Sequence, residues 1–309
     1  MKNRPLGGYR AGGCDQSQNA ATRSPSRPVT GGCGYYFALS RTRSSYSLYR
    51  CGEPFLKRNI PASATEGEPR VVPSSTNQAD QVKSYAVMSS GGKDSTLALD
   101  RARRQNLDVR CLVNIYDGPS GRVAFHGTRK ALIADQAAAC ELEYLSAATD
   151  PNNPYESVFL KTLRDLKDRG ISGVIFGNIH LADVREWYET RVRDAGLDHV
   201  EPLWGDSPHS LLDEVVDRGF SGIVVSVDLQ QSPADLLGRA IDEEFVTAVR
   251  DLTDMDPCGE RGEYHSFVYD GPTFARPVSV EPGEIRTERN HRLLDLILAP
   301  SIRNKGKTQ

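Results

Sequence analysis

From Ser84 onward the apolar positions fall into two alternating kinds of run. Short, dense apolar runs mark strands at Tyr85–Ser90, Val109–Ile115, Glu143–Leu145 and Gly173–Phe176. Between them, apolar residues spaced three and four apart mark helices. These are Lys93–Gln105 (with Leu97, Leu99 and Ala102), Thr128–Cys140, Pro154–Arg169 (with Val158, Leu160, Leu163 and Leu166) and Asp183–Ala195. Val200–Leu203 reads as an edge strand. This alternation predicts an α/β fold: a doubly wound, mainly parallel sheet with helices on both faces. A smaller C-terminal α/β unit follows. It has a helix at Pro208–Arg218, a buried strand at Gly222–Val227, a helix or helix pair across Leu236–Leu252 and a strand at Tyr264–Tyr269. From Pro282 the chain turns polar, and its last apolar run, Leu293–Leu298, reads as a short docking helix.

Residues 1–83 differ from the rest. They are rich in Gly, Ser, Arg, Pro and Tyr and show no sustained periodicity. Such a segment buries too little apolar surface to offset its ordering entropy, so it is expected to be disordered. It is Arg- and Ser-rich and poor in acids, as organellar transit peptides are, but a dispensable extension or an upstream start codon explains it more simply.

The formal net charge of −3 hides an uneven distribution. Residues 1–60 carry ten Lys/Arg against Asp15 and Glu53, which leaves the remainder with 28 basic and 39 acidic residues. An acidic body is a poor match for RNA or DNA, whose binding rests on neutralising phosphates. No apolar run approaches the ~18 residues that span a bilayer. The six cysteines form no C-x-x-C pair, which argues against a zinc ribbon or redox motif. Cys111 and Cys140 lie on apolar patterns as small core residues, as in a reduced, cytoplasmic protein.

One string carries the chemistry: Ser90-Gly91-Gly92-Lys93-Asp94-Ser95, which follows a strand and opens a helix. Two glycines permit positive φ and let backbone N–H groups approach a ligand. The helix N-terminus adds unpaired donors and a positive dipole end, so the whole is an anion site. Ser90 and Ser95 contribute hydroxyls and Lys93 a charge. Asp94 makes sense there as a Mg²⁺ ligand or as the helix cap. The spacing is neither a Walker A loop nor a dinucleotide fingerprint. Other chemistry-bearing residues gather farther on. Glu260 and Glu263 flank Gly262 in a turn before a strand, where they could bind ammonium, accept hydrogen bonds from an amide or hold a metal. His265 follows, in alternation with Tyr264. His126 lies in a loop after a strand, and Gly177 and Asn178 lie at another strand end, where ligands bind in parallel sheets. Asn178 could instead cap the next element. Arg185 could neutralise an acidic substrate or pair with the acids of its own helix. Trp187 and Trp204 read as packing residues.

The string Ser90–Ser95 resembles the PP-loop of N-type ATP pyrophosphatases. The resemblance implies cleavage of ATP between its α- and β-phosphates, with ATP and Mg²⁺ as cofactors and a HUP-type, adenine-nucleotide-hydrolase-like architecture. A second signature, Cys258-Gly259-Glu260-Arg261-Gly262-Glu263-Tyr264-His265-Ser266 with Asp270-Gly271-Pro272-Thr273-Phe274, is similar to segments of the diphthine–ammonia ligase family. Phe125-His126-Gly127, Gly177-Asn178-Ile179 with Asp183 and Arg185, Pro202-Leu203-Trp204 and Leu237-Gly238-Arg239 fit the same family. The likeness runs from Ser84 to about Pro282. It implies four segments: an extension (1–83), an ATP-binding domain (84–199), a substrate-binding domain (200–285) and a polar tail (286–309). It implies Lys93, Asp94, Glu260 and Glu263 as catalytic residues, and Ser90–Ser95, His126, Gly177 and Asn178 as nucleotide contacts. Asp183, Arg185, Glu260, Glu263 and His265 are implied at the substrate, and Asp94 at the metal. The implied reaction adenylates a carboxylate, small or protein-linked, and forms an amide with ammonia. The wording around Asn178 is closer to bacterial-type members, which implies an acceptor other than diphthine. A homodimer stays open as the assembly. Two rivals remain: a tRNA-modifying PP-loop enzyme, which would want a cysteine pair and a basic face, and a non-catalytic adenine-nucleotide-binding protein.

Overall fold

The computed structural model of the protein describes residues 82–299. Apart from its last two residues, the 1–83 extension lies outside them, as do residues 300–309 of the expected tail.

Five strands form a wholly parallel sheet: β1 (Ser84–Met88), β2 (Asp108–Asp117), β3 (Glu143–Thr149), β4 (Gly173–Ile175) and β5 (Asp198–Val200). They are joined by helices α1 (Lys93–Arg104), α2 (Lys130–Ala139), α3 (Tyr155–Asp168) and α4 (Ala182–Asp194). The strand order is β3-β2-β1-β4-β5, so the winding reverses between β1 and β4. Loops leaving neighbouring strands diverge at such a reversal and leave a crevice beyond the strand ends. The doubly wound parallel sheet read from the alternation is therefore present. The edge strand β5 begins at Asp198, two residues before its expected start at Val200, and ends where that run began. Trp204 and its neighbours instead form turns.

The C-terminal half departs further from expectation. It holds α5 (Pro208–Asp217), β6 (Ser221–Asp228), α6 (Glu243–Arg250), β7 (Tyr264–Asp270), β8 (Val280–Glu288) and β9 (His291–Leu298). The four strands make an antiparallel sheet in the order β7-β6-β9-β8. The expected helix across Leu236–Leu252 is shorter: only Glu243–Arg250 is α-helical, capped by Asp242, whose side chain accepts from the Phe245 N–H. The expected polar tail from residue 286 and its docking helix are corrected outright, because His291–Leu298 is an interior strand. Leu293, Leu294, Asp295 and Leu296 are all buried. A strand covered on both faces reads as a continuous apolar run, which periodicity does not separate from a helix. The buried Asp295 is answered by Arg122 at 2.7 Å and Arg129 at 2.5 Å. Burial raises its pKa, but the two guanidinium groups outweigh that and hold the carboxyl well below its ordinary range.

One core runs through both sheets. Val87, Leu97 and Ile133 of the first half share it with Phe245, Phe267 and Leu294 of the second. A separate cluster on the opposite face of the parallel sheet joins Ala86, Val113, Phe159 and Val174 and takes in Trp187. Cys111 and Cys140 are buried free thiols, pushed up to about 11 by burial. Among the described residues, no helix is long and apolar enough to cross a membrane.

Candidate functional site

The loop after β1 and the start of α1 lie at the winding reversal. Gly91 has φ +83, which favours glycine. A Cβ there would sit 2.5 Å from Ile133 Cδ1 and 2.9 Å from the Phe267 ring. The first glycine is thus demanded by the core beneath the loop as much as by an approaching ligand. Gly92 is the N-cap of α1 and carries no side chain to cap it. The nearest free N–H, that of Lys93, donates to Ser266 Oγ of β7 at 3.1 Å. Ser89 accepts from the Gly91 N–H at 3.0 Å and lies 3.0 Å from the Ser95 hydroxyl. The Gly91 carbonyl accepts from the Val268 N–H at 2.9 Å and from Gln136 at 3.2 Å. The second sheet therefore clamps the loop in shape.

Gly177, at the end of β4, abuts this helix start. A Cβ on it would lie 2.7 Å from the Asp94 carbonyl carbon. Its role in the geometry is close packing of the β4 exit against α1. Ser90 remains half-buried at the loop's rim.

Lys93 is not directed at open solvent. Its ammonium is buried, 2.9 Å from Asp94 Oδ2, hydrogen-bonded to the Cys258 carbonyl and 4.9 Å from the centre of the Tyr264 ring. Burial alone would lower its pKa. The negative charge of Asp94, with Tyr264 and Cys258, outweighs that and keeps it well above the ordinary value. Lys93 thus pins the loop to the Cys258–Ser266 signature rather than standing free in the cradle. Asp94 keeps about a quarter of its side chain exposed, and burial raises its pKa despite Lys93.

Glu260 reaches the same place. Its Oε2 accepts the Ile179 N–H at 3.3 Å. Burial first, then the nearby Asp94 charge, pushes its pKa up to about 8. Glu263 does something else. It is buried, and its two oxygens accept the Asp256 N–H at 2.9 Å and the Arg261 N–H at 3.0 Å. Its carboxylate braces the turn from within. Two partners that the sequence did not single out complete the cluster. Asp256 is buried and lies 2.6 Å from His180 Nε2, tying the turn to the exit of β4. Asp256 stands two residues before the signature and His180 inside the quoted Gly177–Arg185 segment, so only proximity to these strings could have flagged them.

His126 and His265 stack face to face, with ring centres 4.2 Å apart and planes at 29°. Asn178 and Arg185 belong to a neighbouring cluster instead. Asn178 donates to Glu201 at 2.6 Å, and Arg185 Nε lies 3.2 Å from the same buried carboxylate, with its guanidinium 4.5 Å over Trp204. Trp204 is therefore a platform for Arg185, and Trp187, packed against the Phe159 cluster, likewise carries the Arg191 guanidinium at 4.0 Å. Asp183 sits in the first turn of α4, half-buried. The structure brings together Ser90–Ser95, Gly177, Glu260, His126 and His265. It sets Asn178 and Arg185 to one side, held by Glu201.

A glycine loop that leaves the central strand of a parallel sheet at its winding reversal, opens a helix, and is braced by an acidic turn defines a nucleotide-binding α/β fold of the PP-loop type. The chain belongs to the diphthamide synthase family: residues 83–199 match the diphthamide synthase N-terminal domain and residues 207–297 its C-terminal domain. It is 26% identical over 131 residues to a diphthine–ammonia ligase of Bos taurus, covering 41% of this chain and 48% of that one. It is 22% identical over 179 residues to one of Schizosaccharomyces pombe, covering 57% of this chain and 29% of that one. The chain thus spans about half the length, or less, of these relatives. A solved structure described as a predicted subunit of tRNA methyltransferase from Methanocaldococcus jannaschii aligns with 69% of this chain and 97% of its own. The TM-score is 0.31 and the identity 14%.

Proposed function

We propose that this chain is an ATP-dependent ligase that joins ammonia to a carboxylate as an amide and releases AMP and pyrophosphate. The observation that carries the reading is the joining of the phosphate-type loop to the acidic turn. Lys93 bridges Asp94 and the Cys258 carbonyl, and Ser266 receives the Lys93 N–H, so Ser90–Ser95 and Glu260 belong to one site. Family membership and the names of the relatives support it.

The residues fit a nucleotide with a divalent cation. The N-terminus of α1 is uncapped by its own Gly92, and Asp94 beside it is partly open. Among the described residues no group of three or more His, Cys, Asp or Glu could hold a metal. Mg²⁺ is commonly held by one or two carboxylates together with substrate phosphates, and Asp94 is the carboxylate beside the loop. Asp94 would hold it, and the ion would offset phosphate charge. In the reaction, a substrate carboxylate oxygen bonds to the α-phosphorus and the bond to the β-phosphate breaks. The nitrogen of ammonia then bonds to the acyl carbon as the acyl–oxygen bond to AMP breaks. The backbone donors of Gly92, Asp94 and Ser95 would stabilise the leaving pyrophosphate, while that of Lys93 is taken by Ser266. The nitrogen sheds protons as it becomes an amide. Glu260, with a pKa near 8, is matched to take one of them. Arg185, stacked over Trp204 and paired with Glu201, would anchor the acceptor from this neighbouring cluster.

The test incubates the protein with ATP, Mg²⁺, ammonium chloride and a panel of carboxylates that includes a diphthine-bearing protein. AMP and pyrophosphate in equal amounts, dependent on both acceptor and ammonium and abolished by Asp94→Ala, is the expected result. ADP and phosphate, or AMP release indifferent to ammonium, would overturn the reading.

A further inference from the structure

The stacked imidazoles of His126 and His265 border the phosphate-type loop directly. The His126 Cε1 lies 3.4 Å from where a Cβ on Gly92 would stand. His126 Nδ1 is buried with no hydrogen-bond partner. The groups facing the pair come from each element packed on it. Lys93 acts on both rings from α1, and the Ser266 carbonyl of β7 acts on His126. From β9, His291 acts on His265 and rests against Phe125, the residue before His126, with ring centres 6.5 Å apart. The base of the His126 loop is held by Arg122, which donates to the Gly127 carbonyl at 2.7 Å and, with Arg129, pairs with Asp295. The groups around the rings that carry charge or can gain it are thus mainly cationic.

Two stacked rings beside a buried ammonium resist protonation. Burial, then the Lys93 charge, lowers His126 to about 4, against the pull of the Ser266 carbonyl. Burial and His126 itself hold His265 well below its ordinary value. Both rings are then neutral at pH 7. A polyphosphate arriving at Gly91–Ser95 brings several negative charges to that spot and reverses the balance.

We propose that His126 takes up a proton when a polyphosphate binds the Gly91–Ser95 loop, donates to it as an imidazolium, and releases the proton when the phosphate leaves. This rests on the reading that the loop holds the phosphates of ATP. His265 is the positioning partner: its stacked ring fixes the plane of His126. The proton comes from solvent and returns to it, so pyrophosphate departure and proton release are one event.

The experiment is calorimetric titration of the full chain with inorganic pyrophosphate, and separately with a non-hydrolysable ATP analogue. It is run at pH 7.5 in buffers of different ionisation enthalpy, and the slope of the observed heat against buffer enthalpy counts protons taken up. Wild type should take up about 0.5–1 proton more per ligand than His126→Gln, and His291→Gln should behave as wild type. In unmodified protein, ¹⁵N spectra of the histidine rings should show one imidazole becoming protonated as pyrophosphate is added, which keeps the test alive if a variant misfolds. Binding with the same proton count in wild type and His126→Gln, and no ring change, overturns the proposal and leaves the loop reading intact. No binding of either ligand overturns both.

Discussion

Replacing Gly91 with Ala tests whether the core or the ligand demands that glycine. At φ +83 an L-residue costs about 1–2 kcal/mol. The new Cβ would also meet Ile133 Cδ1 at 2.5 Å and the Phe267 ring at 2.9 Å. Overpacking of this kind typically costs ~1–3 kcal/mol. The expected loss is therefore about 2–5 kcal/mol, read as a shift of the urea midpoint with an unchanged m-value. The clash component has its own probe, since Ile133→Val removes the very carbon that collides. Alone, Ile133→Val should cost about 0.5–1.5 kcal/mol. Combined with Gly91→Ala, it should relieve the contact at Ile133 and leave the strain in φ and the Phe267 contact. The double variant should then be more stable than the sum of the singles by ~1 kcal/mol, beyond the few tenths expected of independent sites. Additive losses would refute the argument that the floor of the loop is built against Ile133. Normal stability with lost nucleotide binding would mean instead that Gly91 serves the ligand alone.

Asp295→Asn should cost ~3 kcal/mol at pH 7, at the low end for a buried pair because Arg129 is nearly half exposed. Because the folded Asp295 pKa is depressed, its stabilisation is fully present above the unfolded value of about 3.8 and is lost as pH falls through the folded value. The gap between wild type and variant in urea unfolding should therefore shrink in acid, and a pH-independent gap would contradict the ion pair. Glu263→Ala strips the acceptors from two backbone N–H groups in the acidic turn and should cost ~2–5 kcal/mol by chemical denaturation. Glu263→Gln should recover part of that loss; a silent Glu263→Ala would show that the turn is not held by its carboxylate. His180→Ala should loosen the link between the β4 exit and the turn, raising hydrogen exchange at Ile179 and Cys258 with little loss of global stability. Unchanged exchange there would remove the His180–Asp256 contact from the account.

The parallel sheet was legible because α1 and α3 each show one apolar stripe and β1, β2 and β4 short apolar runs, although α4 buries only Val192 and β5 reads Asp-His-Val. The loop Ser90–Ser95 was legible because its neighbours in sequence are also its structural context, a strand before and a helix after. The second sheet was not, for a reason visible in β9. Its Leu-Leu-Asp-Leu run is buried on both faces, and the aspartate that seems to mark a polar end is matched by arginines about 170 residues earlier. Sequence alone also hid the divided fates of Glu260, whose partner Ile179 is 81 residues away, and Glu263, whose partners are its near neighbours. In the sequence they are two like carboxylates around a glycine. Only the fold turns one to the Ile179 N–H across the crevice and the other back onto its own turn. Asn178 was read at a strand end and Arg185 on a helix, and the structure has them there, yet the buried Glu201 that captures both carries no sequence mark of its burial.

The stitching of Gly91 to Val268 and of Lys93 to Ser266 has a bearing on how the chain is made. A ribosome releases the glycine loop long before it releases the strand that holds it. Until β7 and β9 emerge, Ile133 and Leu97 lack their core neighbours from the second sheet, and the loop has no wall. The nascent first half is thus an incomplete nucleotide site with exposed apolar surface, the kind of species that chaperones bind. A chain interrupted near residue 200 would lack the strand that holds the loop, so the site is completed only after β7 and β9 have emerged.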